Sequence, residues 1–78
     1  MIISNKDKTN YVNSNNITQF HIKKVDITKV TYKLYVHLLG EEKPIELNVY
    51  DTAEEAHECI VDIFSCISAN NKDYYEII

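Results

Sequence analysis

The stretch Val30–Leu39, VTYKLYVHLL, alternates without a break. Tyr32, Leu34, Val36 and Leu38 fall on one face, and Thr31, Lys33, Tyr35 and His37 on the other. A period of two with one apolar side is the pattern of a half-buried strand. Downstream, Gly40-Glu-Glu-Lys-Pro44 holds turn-forming residues at both ends. Ile45–Tyr50 (IELNVY) then resumes the alternation, with Ile45, Leu47 and Val49 expected inward and Glu46, Asn48 and Tyr50 outward. Upstream, Ile17–Val25 (ITQFHIKKV) puts Phe20 and Ile22 on one face and Gln19, His21 and Lys23 on the other. Matching apolar faces pairs Leu38 with Ile45, Val36 with Leu47 and Leu34 with Val49. The three strands should form an antiparallel meander with one buried side.

A helix follows at once. Thr52-Ala-Glu-Glu55 fits a capping box, in which a hydroxyl and a carboxylate satisfy free backbone donors at the first turn. Acidic Asp51, Glu54 and Glu55 suit the positive end of the helix dipole. The periodicity carries the helix to about Ala69, with a stop at Asn70-Asn71, because Asn tolerates left-handed backbone. At 100° per residue, Ala53, Ala56, Ile60, Phe64 and Ile67 form the stripe expected to cover the sheet. Cys59, Ile63 and Cys66 lie on one shoulder and Val61 on the other. That apolar arc is wider than a helix on a single sheet needs. A homodimer or higher oligomer with Cys59, Ile63 or Cys66 at the contact is one reading; cover by the protein's own terminus is the other.

Outside this centre the pattern thins. Met1–Ile3 reads as a first strand, residues 4–16 as a polar, Asn-rich turn with a short extended piece, and Tyr74–Ile78 as a last strand. The expected fold is therefore α+β: one domain over residues 1–78, an antiparallel sheet of four or five strands, and one long helix packed on one face. Seventy-eight residues leave no room for a second domain.

Charge is unevenly spread. Residues 1–40 hold six Lys against two Asp, a balance of +4; residues 41–78 hold two Lys against ten Asp and Glu, a balance of −8, and the two sum to −4. All eight basic residues are Lys. Without Arg there is no planar fork to read guanine edges or clamp phosphate bidentately, so duplex DNA is an unsuitable partner. Polar residues follow Met1-Ile2-Ile3 immediately, so neither a signal peptide nor a membrane span is expected. Cys59 and Cys66, seven residues apart on a helix, are about 10 Å apart along its axis and too far for a mutual disulfide. A reduced, cytoplasmic location follows as the expectation.

No constellation names a reaction. A single Gly rules out a Gly-rich phosphate loop, and a mid-helix Cys lacks the N-terminal dipole that activates a thiol. His21, His37, His57, Cys59 and Cys66 have none of the paired spacings of a structural zinc site. No enzyme, metal or cofactor is expected. The outward sheet face is the candidate ligand site: His21, Lys23, Lys33, Tyr35, His37, Asn48 and Tyr50 gather there. Aromatic rings beside ammonium and imidazole groups suit a base carrying a phosphate. The same side chains also make ordinary cross-strand pairs on a solvated face. The acidic helix face, Glu54, Glu55, Glu58 and Asp62, reads as a solubilising surface or as a mimic of a phosphate backbone.

The opening Ile-Ser-Asn-Lys-Asp-Lys-Thr (3–9), the strand meander and the junction Tyr50-Asp-Thr-Ala-Glu-Glu-Ala56 together resemble small uncharacterised proteins of phages and prophages of AT-rich Gram-positive bacteria. The resemblance implies an inhibitor of host bacterial immunity. One form sequesters a nucleotide immune signal as an oligomer; another binds a host defence protein of the CRISPR kind. A small accessory or regulatory module is the third expectation. The likeness carries no catalytic or ligand residue across.

Overall fold

The computed structural model describes residues 1–69 and 73–77. The expected helix stop at Asn70-Asn71 and Ile78, the last residue of the expected final strand, lie outside the described residues. Among the described residues, six strands and one long helix occur in the order β1 (Ile2–Ser4), β2 (Tyr11–Asn13), β3 (Ile17–Asp26), β4 (Val30–Leu38), β5 (Ile45–Tyr50), α1 (Ala53–Ala69) and β6 (Tyr74–Glu76). The fold is α+β, as the alternation indicated. The single sheet of four or five strands gives way to two sheets of three, ordered β2-β1-β6 and β3-β4-β5.

Strand length explains the split. The strands β1, β2 and β6 have three residues each and pair only with one another, β1–β2 antiparallel and β1–β6 parallel. A short 3-10 turn at Ser14–Asn16 separates β2 from β3. Near β5 the smaller sheet makes one backbone link, Lys6 N–H to the Leu47 carbonyl at 2.9 Å. Asn5 organises the turn above it: its buried Oδ1 accepts from the Thr9 and Asn10 N–H groups at 2.9 and 3.0 Å. Such side-chain bonds stand in for the backbone pairing that a longer hairpin would provide.

The larger sheet keeps the expected β3–β4 faces, with Phe20 opposite Val36 and Ile22 opposite Leu34. Its β4–β5 register differs from the expectation. Leu34 stands opposite Asn48 and Tyr35 opposite Glu46, so Leu47 is an extra residue on β5, a β-bulge. The extra residue reverses the facing beyond it. Asn48 turns inward and is 8% exposed, Tyr50 packs against the core, and Val49 turns out to 40% exposure.

α1 begins at the foreseen cap. The Glu55 N–H donates to Thr52 Oγ1 at 3.2 Å, and that hydroxyl donates to Glu55 Oε1 at 3.1 Å. The helix is rotated from the expected stripe. Ala56 and Ile63 are fully buried, whereas Phe64 is 52% exposed. Ile63, placed on an open shoulder by periodicity, joins Ile3, Val12, Leu34, Val36, Leu47 and Ile77 in one core between helix and both sheets. The smaller sheet causes the rotation, since Ile3, Val12 and Ile77 offer apolar cover where only β3–β5 was anticipated. Cys59 and Cys66 are half-buried free thiols. No helix among the described residues is long and apolar enough to cross a membrane.

Candidate functional site

The face of the β3-β4-β5 sheet away from α1 gathers part of the expected site. His21 and Lys23 project from β3, and Lys33, Tyr35 and His37 from β4, because both strands keep an uninterrupted period of two there. His21 stands opposite Tyr35 and Lys23 opposite Lys33. The His21 and His37 rings meet edge to face, centroids 6.2 Å apart. His21, Lys23, Tyr35 and His37 line a shallow depression of about 420 Å³, with Pro44 on its lip. The role of Pro44 could not be read from sequence, because it depends on how the β4–β5 turn folds over the sheet.

Two lysines directly opposite one another repel, and the fold answers on one side only. Lys33 Nζ approaches Glu46 Oε1 at 3.4 Å, the carboxylate that β5 brings beside Tyr35. Among the described residues Lys23 is in no such ion pair, so its ammonium is the free point charge at the depression. An imidazole pair, a tyrosine ring and a free ammonium can together stack on a planar group and neutralise an attached anion.

Asn48 and Tyr50 are not part of this face. The bulge at Leu47 directs both toward the helix, which corrects the expectation that they share a surface with Lys33 and Tyr35. Asn48 Oδ1 accepts from the Val49 N–H at 2.8 Å. Tyr50 opens instead into a second hollow of about 750 Å³ between α1 and β6, lined also by Glu55, Glu58, Cys59, Asp62 and Tyr75.

That second hollow is acidic, and two of its groups bond to each other. Tyr75 Oη donates to Asp62 Oδ2 at 2.5 Å. Burial pushes the Tyr75 phenol well above its ordinary value, and the bond to Asp62 adds to the effect. Burial likewise pushes Tyr50 up to about 12, helped by the neighbouring Cys59. The Cys59 thiol is also pushed up by burial. A raised thiol is the reverse of an activated nucleophile. Among the described residues no three His, Cys, Asp or Glu side chains are grouped so as to hold a metal ion.

Of the three residues expected at an oligomer contact, Ile63 is wholly inside the protomer, and Cys59 lies beneath Tyr50 and Tyr75. The apolar side chains that α1 does expose are Val61, Phe64 and Ile67. No family model, no curated protein and no solved structure matches this chain.

Proposed function

We propose that this protein is a non-enzymatic binding protein of the phage anti-defence type, acting in the bacterial cytoplasm as a homo-oligomer that sequesters a small anionic signalling ligand. The ligand class is a nucleotide. Lys23 and the two imidazoles, His21 and His37, meet phosphate, and Tyr35 stacks on the base. The observation that carries this reading is the gathering of those four side chains around one depression on the outward face of β3 and β4. Lys33 contributes less, because Glu46 already answers its charge. Calorimetry against cyclic nucleotides and ADP-ribose derivatives tests it. Binding in the micromolar range that weakens on Lys23→Ala and Tyr35→Ala supports the reading, and no heat at tens of micromolar ends it.

The acidic side of α1 favours a second reading. Glu55, Glu58 and Asp62 line one hollow with Glu76 of β6, and Glu54 is exposed beside them. Such a surface suits a basic host defence protein, in which it would occupy a nucleic-acid channel. Charge reversal at Glu54, Glu58 and Asp62 separates the two readings. It abolishes inhibition under the second and leaves nucleotide binding intact under the first.

A further inference from the structure

We infer that two copies of this chain associate edge to edge through β3, forming a continuous six-stranded sheet with the two α1 helices side by side over it. Two observations meet at the same edge. First, β3 is ten residues long and has β4 as its one neighbour among the described residues, so its other side presents a row of free backbone donors and acceptors. The usual edge guards, Lys23 and Lys24, sit in its C-terminal half; Ile17–Ile22 carries no lysine. Second, two exposed apolar residues of α1 lie on the flank that overhangs this edge. Phe64 is 52% exposed and Ile67 38%. Phe64 meets Phe20 of β3 edge to face at 5.4 Å, and Ile17, Phe20, Phe64 and Ile67 line a groove of about 270 Å³. The opposite flank of α1 is the carboxylate side.

A foreign extended peptide would satisfy the strand and leave the overhanging ridge wet. A second copy covers both, because a twofold axis through the β3 edge brings an identical ridge to the same place. The spacing agrees. α1 touches β3, β4 and β5 alike, so its axis runs over β4. The β4 strands of two edge-paired copies are three strand spacings apart, about 14 Å. Helices in direct contact pack at about 8–10 Å, and the Phe20 and Phe64 rings of both copies fill the wider gap. Antiparallel pairing also sets the Lys23–Lys24 half of one strand against the neutral Thr18–Gln19 half of the other, so like charges do not face one another.

The interface follows from the edge and ridge alone, and it supplies the oligomer of the functional reading with a geometry: the two open faces, each with its His21, become one surface. Light scattering at tens of micromolar should give twice the 9.1 kDa chain mass. Phe64→Glu and, separately, Ile67→Glu should halve that mass while circular dichroism stays native; Glu58→Lys on the carboxylate side should not. Amide exchange in β3 should accelerate on dilution below the dissociation constant. A chain-mass particle in the parent protein overturns the inference. So does a dimer that survives both ridge variants, or β3 amides indifferent to dilution. A monomer that still binds nucleotide overturns this interface and leaves the ligand reading standing.

Discussion

The two hollows of the molecule use tyrosine in opposite ways. At the open sheet face, Tyr35 stands among Lys23, His21 and His37, and its hydroxyl makes no hydrogen bond to another side chain among the described residues. In the hollow between α1 and β6, Tyr75 donates to Asp62, Tyr50 stands beside Cys59, and burial holds both phenols protonated to high pH. The first surface keeps its capacity for recognition; the second spends it on closing the fold. The charge split along the chain maps onto this division, since β3 and β4 come from the basic half and α1 and β6 from the acidic half. The face on which each strand sets its tyrosine therefore separates Tyr35 from Tyr50 and Tyr75.

The severest way to test the division is to strike the side that closes the fold. Ile63→Ala removes a fully buried side chain from the core and should cost about 2–5 kcal/mol, enough to unfold much of so small a domain. Lys23→Ala on the open face should stay within about 0.5 kcal/mol of the parent. Urea melts of both decide whether the two regions are energetically distinct.

A sharper comparison comes from ligand affinity. Tyr35→Ala should weaken nucleotide binding by about 1–3 kcal/mol, the usual worth of a stacked base, in calorimetry. Tyr50→Phe and Asn48→Ala should leave affinity unchanged and lower the urea midpoint instead. If Tyr50→Phe loses the ligand and Tyr35→Ala keeps it, the assignment of the two surfaces is reversed.

Alkali separates them next. Tyr50, Tyr75 and Cys59 all titrate higher in the folded chain than when unfolded. Below the unfolded values all three are protonated in both states, and stability is independent of these groups. As pH rises past them, the unfolded chain releases protons that the folded chain retains, and stability falls. The loss should begin near pH 9, where an exposed thiol starts to ionise, and continue toward the Tyr50 value of about 12. Urea midpoints from pH 7 to 11 should show it, with a shallower fall in Tyr50→Phe.

The smallest effect expected is at the Lys33–Glu46 pair. Both side chains are more than a third exposed, so Lys33→Met should change stability by less than about 1 kcal/mol. Because Lys33 is spoken for by Glu46, the same variant should disturb ligand affinity less than Lys23→Ala does. An equal loss would place both ammonium groups on the ligand.

Much of this division was legible in the sequence where a pattern ran long enough to be redundant. Val30–Leu38 repeats its period through nine residues, and Thr52–Glu55 encodes its cap chemically, so β4 and the start of α1 were readable. IELNVY misled because its alternation is flawless. The bulge at Leu47 is stabilised by a contact outside the strand, the Lys6 N–H, and no local signal announces it. That one inserted residue removed Asn48 and Tyr50 from the candidate site. The rotation of α1 was hidden for a related reason. A wide apolar arc does not say which part of it is central, and the deciding residues, Ile3, Val12 and Ile77, lie in strands or tails too short to show a period. The parallel pairing of β1 with β6 joins the two ends of the chain, where three residues per strand encode no partner.

The kink at Leu47 has a further effect on how copies can add to one another. It breaks the straight run of hydrogen-bonding groups along one border of the main sheet and hands a carbonyl there to a neighbouring loop. Within the β3-β4-β5 sheet, strand addition at that border is thereby disfavoured, which leaves β3 as its open edge. Under the proposed β3 pairing, the border ends the joined sheet on both sides instead of inviting further copies.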